Sequence, residues 1–486
     1  MTDKLLHRDE YIDERIDERT DGRIDERTDR RVFITTYGCQ MNVYDSSQLW
    51  NIMRRYGWRK AASAEEADFI FVNTCSIREK AAQRVISHLN RLKAQKKKNP
   101  GLVIGVGGCV AEQEGADLIK QIPWLNLVIG PGRLSEIPEV LERLPSDPSP
   151  VVLCGQSQSR TAIPMVNRPP SESKQMEAKP KPDKAPVSAF LTIMQGCDNY
   201  CAYCVVPYLR GPEISRPQEE IIAEAKELID CGAKEITLLG QNVNSYGRKG
   251  HRGGEDFVSL LTKISSLAGL ERLRFTTSHP KDFPSRLVDL FGALGPLCEH
   301  IHLPVQAGSD DILKAMGRRY DRARYLELID SLRKTCPNIA LSTDVIVGFP
   351  GETQRDFEDT VSLLEAVRFD FIFSFKYSDR PMTKAKDLGD KISEEEKSRR
   401  LDIVQSIQKE ITLSIHRNLI GQTLEVLVEG HARRQGQLTG RSRTLKLINF
   451  FGPPSLIGRL VMVTITEAWP VSLLGTIAQT IDAKLA

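Results

Sequence analysis

Residues 190–207 read Phe190-Leu191-Thr192-Ile193-Met194-Gln195-Gly196-Cys197-Asp198-Asn199-Tyr200-Cys201-Ala202-Tyr203-Cys204-Val205-Val206-Pro207. An apolar run opens the stretch, and a polar loop with cysteines in C-x3-C-x2-C spacing follows it. A loop this tight points three thiolates at one centre. Three thiolates suit a cubane iron–sulfur cluster whose fourth iron is left for a non-protein ligand. Structural zinc is closed by four ligands, and no fourth Cys or His lies nearby in the sequence. A disulfide reading fails because three cysteines cannot all pair and nothing marks the chain as secreted.

Outward from this loop, residues Ala189 to about Ile415 alternate strand and helix patterns. Strands are predicted at Phe190–Ile193, Glu235–Leu239, Leu273–Thr276, His300–Leu303, Leu341–Val347 and Phe371–Phe375, with helices between them at Pro217–Ile229 and Tyr325–Thr335. Six such units suggest an open or partial β/α barrel, whose functional loops sit at the carboxyl ends of the strands. The polar, Gly-containing segments fall there: Gly240-Gln241-Asn242, Thr277-Ser278-His279-Pro280, Pro304-Val305-Gln306 and Gly348-Phe349-Pro350-Gly351-Glu352-Thr353. The last of these either shapes a site or caps a helix. His279 and His302 read more readily as hydrogen-bonded structural histidines than as ligands. Cys231, Cys298 and Cys336 share no spacing and read as structural.

On the amino-terminal side a second α/β pattern begins at Val32. Strands are predicted at Val32–Thr35, Asp68–Val72 and Leu102–Val106, each followed by a helical segment such as Ile77–Leu92, which implies a parallel sheet. Cys39, Cys75 and Cys109 each follow one strand, at spacings of 36 and 34 residues. Carboxyl ends of parallel strands line one edge of an open sheet, so these distant residues can converge there. Three buried core cysteines are the plainer alternative, but the repeated post-strand position beside Gly or Asn favours a second cluster.

The remaining segments differ in kind. Residues 1–31 repeat Ile-Asp-Glu-Arg amid dense mixed charge and read as a low-complexity tail without a core. Residues 146–186, rich in Pro, Ser, Lys and Gln, read as an interdomain linker in which Cys154 is incidental. Residues 416–482 carry short apolar alternations (Leu424–Val428, Leu445–Phe450, Leu460–Ile465, Leu473–Ile477) between Gly and Pro turns, the pattern of a small all-β barrel. Arg417, Arg433, Arg434, Arg441, Arg443, Lys446 and Arg459, with Phe450, Phe451 and Trp469, suit a polyanion with stackable bases there; a solvated charged surface is the alternative.

Bulk properties bound these readings. At 486 residues the length suggests about three domains. A formal net charge of +3 is nearly neutral, so any basic surface is local. Ten cysteines are too few for a disulfide scaffold and fit a reducing cytoplasm. No apolar run approaches the roughly 18 residues of a membrane span and the start is charged, so the expectation is a cytoplasmic protein without a membrane segment.

The C-x3-C-x2-C motif with Tyr203 before its last cysteine resembles the radical S-adenosylmethionine (SAM) superfamily. From Val32 to about Ile481 the chain looks like a methylthiotransferase, nearest to the tRNA branch, the 2-methylthio-N6-isopentenyladenosine synthases. The segments that carry the likeness are Thr36-Tyr37-Gly38-Cys39-Gln40-Met41-Asn42, Asn73-Thr74-Cys75-Ser76-Ile77-Arg78-Glu79-Lys80-Ala81, Arg274-Phe275-Thr276-Thr277-Ser278-His279-Pro280 and Val426-Leu427-Val428-Glu429-Gly430. The resemblance implies an α/β protein with three domains: an open parallel α/β domain at 32–145, a radical SAM partial barrel at 187–415 and a small all-β RNA-binding barrel of the TRAM type at 416–482.

It also implies two [4Fe-4S] clusters, a radical-generating one on Cys197, Cys201 and Cys204 and an auxiliary one on Cys39, Cys75 and Cys109. SAM then serves as both methyl donor and radical source, and the methylthio group goes to C2 of the adenine beside the anticodon. An aromatic C–H has neither an acidic proton nor a leaving group, so a cofactor must supply the radical chemistry. Tyr203, Gln241 and Gln306 are candidate SAM contacts from their positions in the loops. Implied partners are a tRNA carrying isopentenyladenosine and a reducing electron donor; a monomer is compatible with the sequence. Met382 stands where relatives often have Gly, and Gln195 where they often have Arg or Glu. Within the family, threonylcarbamoyladenosine in tRNA and an aspartate of a ribosomal protein are the rival substrates. A non-catalytic iron–sulfur protein that binds RNA or carries electrons is the rival of another class.

Overall fold

The computed structural model of the chain describes residues 30–75, 79–155, 185–248 and 256–480. Residues 1–29 of the expected tail at 1–31, and most of the expected linker, 156–184, lie outside the described residues, and the tail is corrected at its end, where Arg31 opens the first strand. The chain divides into two compact units, Met1–Lys181 with Tyr208–Pro212, and Pro182–Pro207 with Glu213–Ala486.

The first unit is a six-stranded, wholly parallel sheet in the order Arg59–Lys60, Arg31–Thr36, Phe69–Thr74, Val103–Gly108, Leu127–Ile129, Val151–Leu153. Every residue of the central strand Phe69–Thr74 is buried, as a parallel strand covered on both faces requires. Its side chains alternate between the two faces. Phe69 and Phe71 pack with Leu49 and Met53 of the helix Gln40–Arg55, while Ile70 and Val72 pack with Val85, Leu89 and Leu92 of the helix Glu79–Lys98.

The linker expectation is corrected at its start, because Val151–Leu153 forms the last strand of this sheet. Three apolar residues between Pro150 and Cys154 are too few to declare a strand until a neighbouring edge supplies its hydrogen bonds. Cys154 is not incidental to packing, since its thiol donates to the Ala111 carbonyl at 3.2 Å.

The second unit holds six parallel strands in two sets of three, Ser188–Thr192, Glu235–Leu239 and Arg272–Phe275, then His300–His302, Ala340–Val347 and Phe371–Lys376. A parallel bridge between Leu273 and Leu297 leads from the first set toward the second. Among the described residues no pairing joins the first strand to the sixth, so the barrel is open. One apolar core fills it, from Leu191 and Leu238 through Ile301 to Leu341 and Val345. The Gly348–Thr353 run turns out to be a helix start: Thr353 caps the helix Gln354–Val367 in a reciprocal capping box with Asp356.

The 24-residue helix Glu394–Arg417, capped by Ser393, leads into a closed barrel of five strands, Thr423–His431, Gln437–Ser442, Leu447–Phe451, Leu460–Ala468 and Leu473–Thr480. The strand Gln437–Ser442 had no apolar alternation to reveal it. It forms because both neighbours pair with it and because Gly440 admits the backbone of Leu427, which a Cβ would meet at 2.2 Å.

The expectation that the barrel's cations gather for a polyanion is corrected in part. Arg443 pairs with Glu299 at 2.7 Å, Lys446 with Asp370, and Arg441 with Glu429 at 2.5 Å. In the opposite sense, Arg272 and Arg274 of the open barrel donate to the carbonyls of Arg441 (2.6 Å), Arg443 (2.7 Å) and Ser442 (2.8 Å). Arg443, Lys446, Arg272 and Arg274 fasten the small barrel to the open one, whereas the Arg441–Glu429 pair lies within the small barrel. Phe450 is likewise in the barrel core, unavailable for stacking, whereas Phe451 and Trp469 are exposed.

Candidate functional site

In the first unit, Cys39, Cys75 and Cys109 come together as their strand positions predict. Their strands are hydrogen-bonded neighbours, and the pairs Thr36↔Asn73 and Thr74↔Gly108 bring the carboxyl ends level. Cys39 caps the helix Gln40–Arg55, Cys75 follows its strand directly, and Cys109 opens the helix Cys109–Glu114. Two glycines make the convergence possible. Gly38 has φ +128°, and a Cβ there would stand 2.3 Å from the Cys75 Cβ; Gly108 has φ +88°, and its Cβ would stand 2.2 Å from the Thr74 carbonyl oxygen. The Asn42 amide donates to the carbonyls of Tyr37 and Thr74, both at 2.9 Å, and so fixes the backbone beside two of the cysteines.

The electrostatics suit thiolates. A hydrogen bond with Cys75, the nearby Arg210 guanidinium and the Asn42 backbone N–H together outweigh burial and draw the Cys39 thiol down to about 6. Burial raises the Cys109 thiol, against the pull of Arg210. Arg210 and Asn42 are site residues that sequence reasoning missed. Arg210 stands six residues after Cys204, and nothing in the Leu209-Arg210-Gly211 run marks a buried cation.

In the second unit, Cys197, Cys201 and Cys204 sit in a loop pinned at both sides of its middle. Ala202 donates its N–H to the Met316 carbonyl and accepts from the Ala385 N–H, both at 2.9 Å. Lys281 donates to Asn199 Oδ1 at 2.6 Å, and the Glu213 N–H to Asp198 Oδ1 at 3.2 Å. Buried Arg318 lies against the loop, with Nη1 3.6 Å from the Cys201 sulfur and 3.4 Å from the Tyr203 hydroxyl, and Nη2 donating to the Pro304 carbonyl at 2.7 Å. Burial pushes the Cys197 thiol up to about 11 and, with repulsion from Cys201, the Cys204 thiol up to about 12. Thiols held this far from ionisation become thiolates when a metal takes the place of the proton.

A cubane takes each thiolate on a different iron, so its three cysteines need not meet at one metal ion. Among the described residues, no three His, Cys, Asp or Glu side chains stand close enough to hold one metal ion.

The post-strand loops of the open barrel carry backbone that L-residues rarely adopt: Tyr200 (φ 50°), Thr277 (φ 67°) and Gln306 (φ 75°). Tyr203 is half-buried beside Arg318. Gln241 has a buried Oε1 with no hydrogen-bond partner among the described residues, and the Gln306 N–H donates to the Asp344 carbonyl at 2.8 Å. His279 accepts from the Lys281 N–H at 3.2 Å; burial first, then Arg318 and Lys281, keep its ring neutral. His302 likewise has a hydrogen-bond partner, Ser342 at 3.1 Å. Met382 takes φ 67°, a conformation that glycine adopts without steric cost.

Three family patterns match the chain: "Uncharacterized protein family UPF0004" over residues 31–130, "Radical SAM superfamily" over 191–364 and "TRAM domain" over 417–478. A protein of Geobacter metallireducens named "tRNA-2-methylthio-N(6)-dimethylallyladenosine synthase" is 47% identical over 448 residues, 92% of this chain and 98% of the relative. The chain belongs to the tRNA-2-methylthio-N(6)-dimethylallyladenosine synthase family. A Bordetella bronchiseptica relative with the same name is 44% identical over 92% of each chain. Among solved structures, the radical SAM methyltransferase TsrM from Kitasatospora setae, with cobalamin and a [4Fe-4S] cluster bound, superposes with a TM-score of 0.52. It shares 14% identity over 85% of this chain and 77% of that one, a likeness of fold alone. As a member of this family the chain is a radical SAM enzyme with two [4Fe-4S] clusters and SAM as cofactors.

Proposed function

We propose that this chain places a methylthio group on C2 of N6-isopentenyladenosine next to the anticodon of tRNA. Cys197, Cys201 and Cys204 hold the radical-generating cluster and Cys39, Cys75 and Cys109 the auxiliary one. The supporting observation is the presence of two separate three-cysteine sets in a chain nearly half identical to synthases of that name. Cleaving SAM alone needs only the first set.

When bound, these cofactors supply the radical that takes the C2 hydrogen and the methylated sulfur that replaces it. The chain's residues bind and orient. Arg318 sets positive charge against the Cys201 side of the loop. Tyr203, Gln241 and Gln306 are the proposed SAM contacts, the buried unpartnered Oε1 of Gln241 being suited to an ammonium group. On the small barrel, exposed Arg433 and Arg434, with the Arg434 guanidinium 5.7 Å over the exposed Phe451 ring, form the proposed RNA contact.

The working regions are 32–153, which includes the strand Val151–Leu153, then 187–415 and 416–482. Among the described residues no helix is long and apolar enough to cross a membrane. Ten cysteines, none of them in a disulfide, support a reducing cytoplasm with a reducing electron donor.

The test is nucleoside mass spectrometry of tRNA from a strain lacking its own synthase and expressing this chain. 2-Methylthio-N6-isopentenyladenosine is expected. Unmodified isopentenyladenosine alongside methylthiolated threonylcarbamoyladenosine would transfer the assignment to the rival tRNA substrate.

A further inference from the structure

Arg210 is buried, yet it belongs to none of the motifs that carry the family likeness. It lies in the short segment Tyr208–Pro212 that the chain contributes to the first unit. Its Nη2 donates to Asp45 Oδ2 at 2.8 Å and to Asn42 Oδ1 at 3.1 Å, and the same guanidinium hydrogen-bonds the Cys109 thiol. Asn42 Oδ1 in turn lies 3.8 Å from the Cys39 sulfur. One cation therefore stands among an acid, an amide and the thiols of Cys39 and Cys109.

A purely structural ion pair is the plainer account of Arg210 and Asp45. Burying such a pair costs desolvation that its own attraction barely offsets, and apolar residues often serve as well. The pair makes more sense where a third party needs the charge. Three thiolates on a cubane core leave a net negative charge, and reduction adds another. In a buried site that charge is costly unless positive charge or N–H donors face the sulfurs, and the same donors raise the reduction potential.

We infer that Arg210 is a positioning residue of the Cys39, Cys75 and Cys109 centre: held by Asp45 and Asn42, its guanidinium turns charge and N–H donors toward the thiolates and raises the reduction potential of the group they carry. This rests on those cysteines holding a cluster. Arg210 is neither a ligand nor a contact of the tRNA substrate in this account; it acts through the sulfurs.

The test uses the full chain with Cys197, Cys201 and Cys204 all replaced by Ala, so that a single centre remains, and adds Arg210→Gln or Arg210→Lys. Iron and sulfide are counted after anaerobic reconstitution, and the midpoint potential is read by EPR at poised potentials. Arg210→Gln is expected to lower the midpoint by about 59 mV or more, a tenfold change for one electron, or to lose iron outright. Arg210→Lys, which keeps the charge, is expected to recover most of either effect. Full iron and an unmoved potential in Arg210→Gln would overturn the inference, as would a Lys variant no better than the Gln variant. If the background without Arg210 changes already carries no iron, the cluster assignment fails and the inference falls with it; where the background is loaded, an unmoved Arg210→Gln variant sinks only the inference.

Discussion

Cys197, Cys201 and Cys204 are neighbours in sequence, held by a loop that Met316 and Ala385 pin through their backbones. Cys39, Cys75 and Cys109 are separated by whole β-α units and meet only because three adjacent parallel strands end level. The electrostatics differ in the same way. Burial dominates in the loop and keeps Cys197 and Cys204 protonated, up to about 11 and 12. At the sheet edge, Cys75, Arg210 and a backbone N–H draw Cys39 down to about 6. A local loop needs little from the fold to gather its ligands but leaves their ionisation to the metal. A site assembled by topology can borrow charge from elsewhere in the chain, here from Arg210.

The largest expected effect separates the two sites outright. Cys201→Ala should abolish 5′-deoxyadenosine release and roughly halve the iron, leaving the sheet-edge set loaded. Loss of all iron would mean that the sites are not independent. Gly38→Ala should do the reverse, because its Cβ would overlap Cys75 at 2.3 Å. SAM cleavage should persist while methylthiolation of tRNA stops, and a fully active variant would show that the close approach is unnecessary.

Arg433→Glu with Arg434→Glu should weaken tRNA binding about tenfold or more and lower the salt dependence by about two counterions. Unchanged affinity would remove that face from the RNA contact. This pair is a better probe than deleting the small barrel, since deletion would also strip Arg272 and Arg274 of their carbonyl partners. The smallest effect concerns the metal-free chain. Cys39, a thiolate above about pH 6, should be alkylated near neutral pH, whereas Cys197 and Cys204 should resist until strongly alkaline pH. A Cys39 that also waits for alkaline pH would erase the electrostatic difference.

Periodicity made much of this fold legible in the sequence. The strand Glu235–Leu239 falls where the apolar run places it, and the other open-barrel strands shift by one or two residues at their ends. Hidden elements were those whose reason lies in a neighbour: Val151–Leu153 needs the edge of Leu127–Ile129, and Gln437–Ser442 needs two flanking strands. The six cysteines proposed as cluster ligands were chosen from spacing and post-strand position alone. The cations around them could not be, because Arg210, Arg318 and Arg272 look like surface residues until tertiary structure buries them. For the same reason Arg443 and Lys446, read as RNA-facing, proved to be fasteners of the small barrel.

Metal and sulfide analysis of the full chain, purified and reconstituted without oxygen, tests the central claim most directly. Two separate three-cysteine sites predict about eight iron and eight sulfide per chain, with two EPR signals after reduction. A chain that carried zinc instead, or only about four iron with all six cysteines intact, would contradict it.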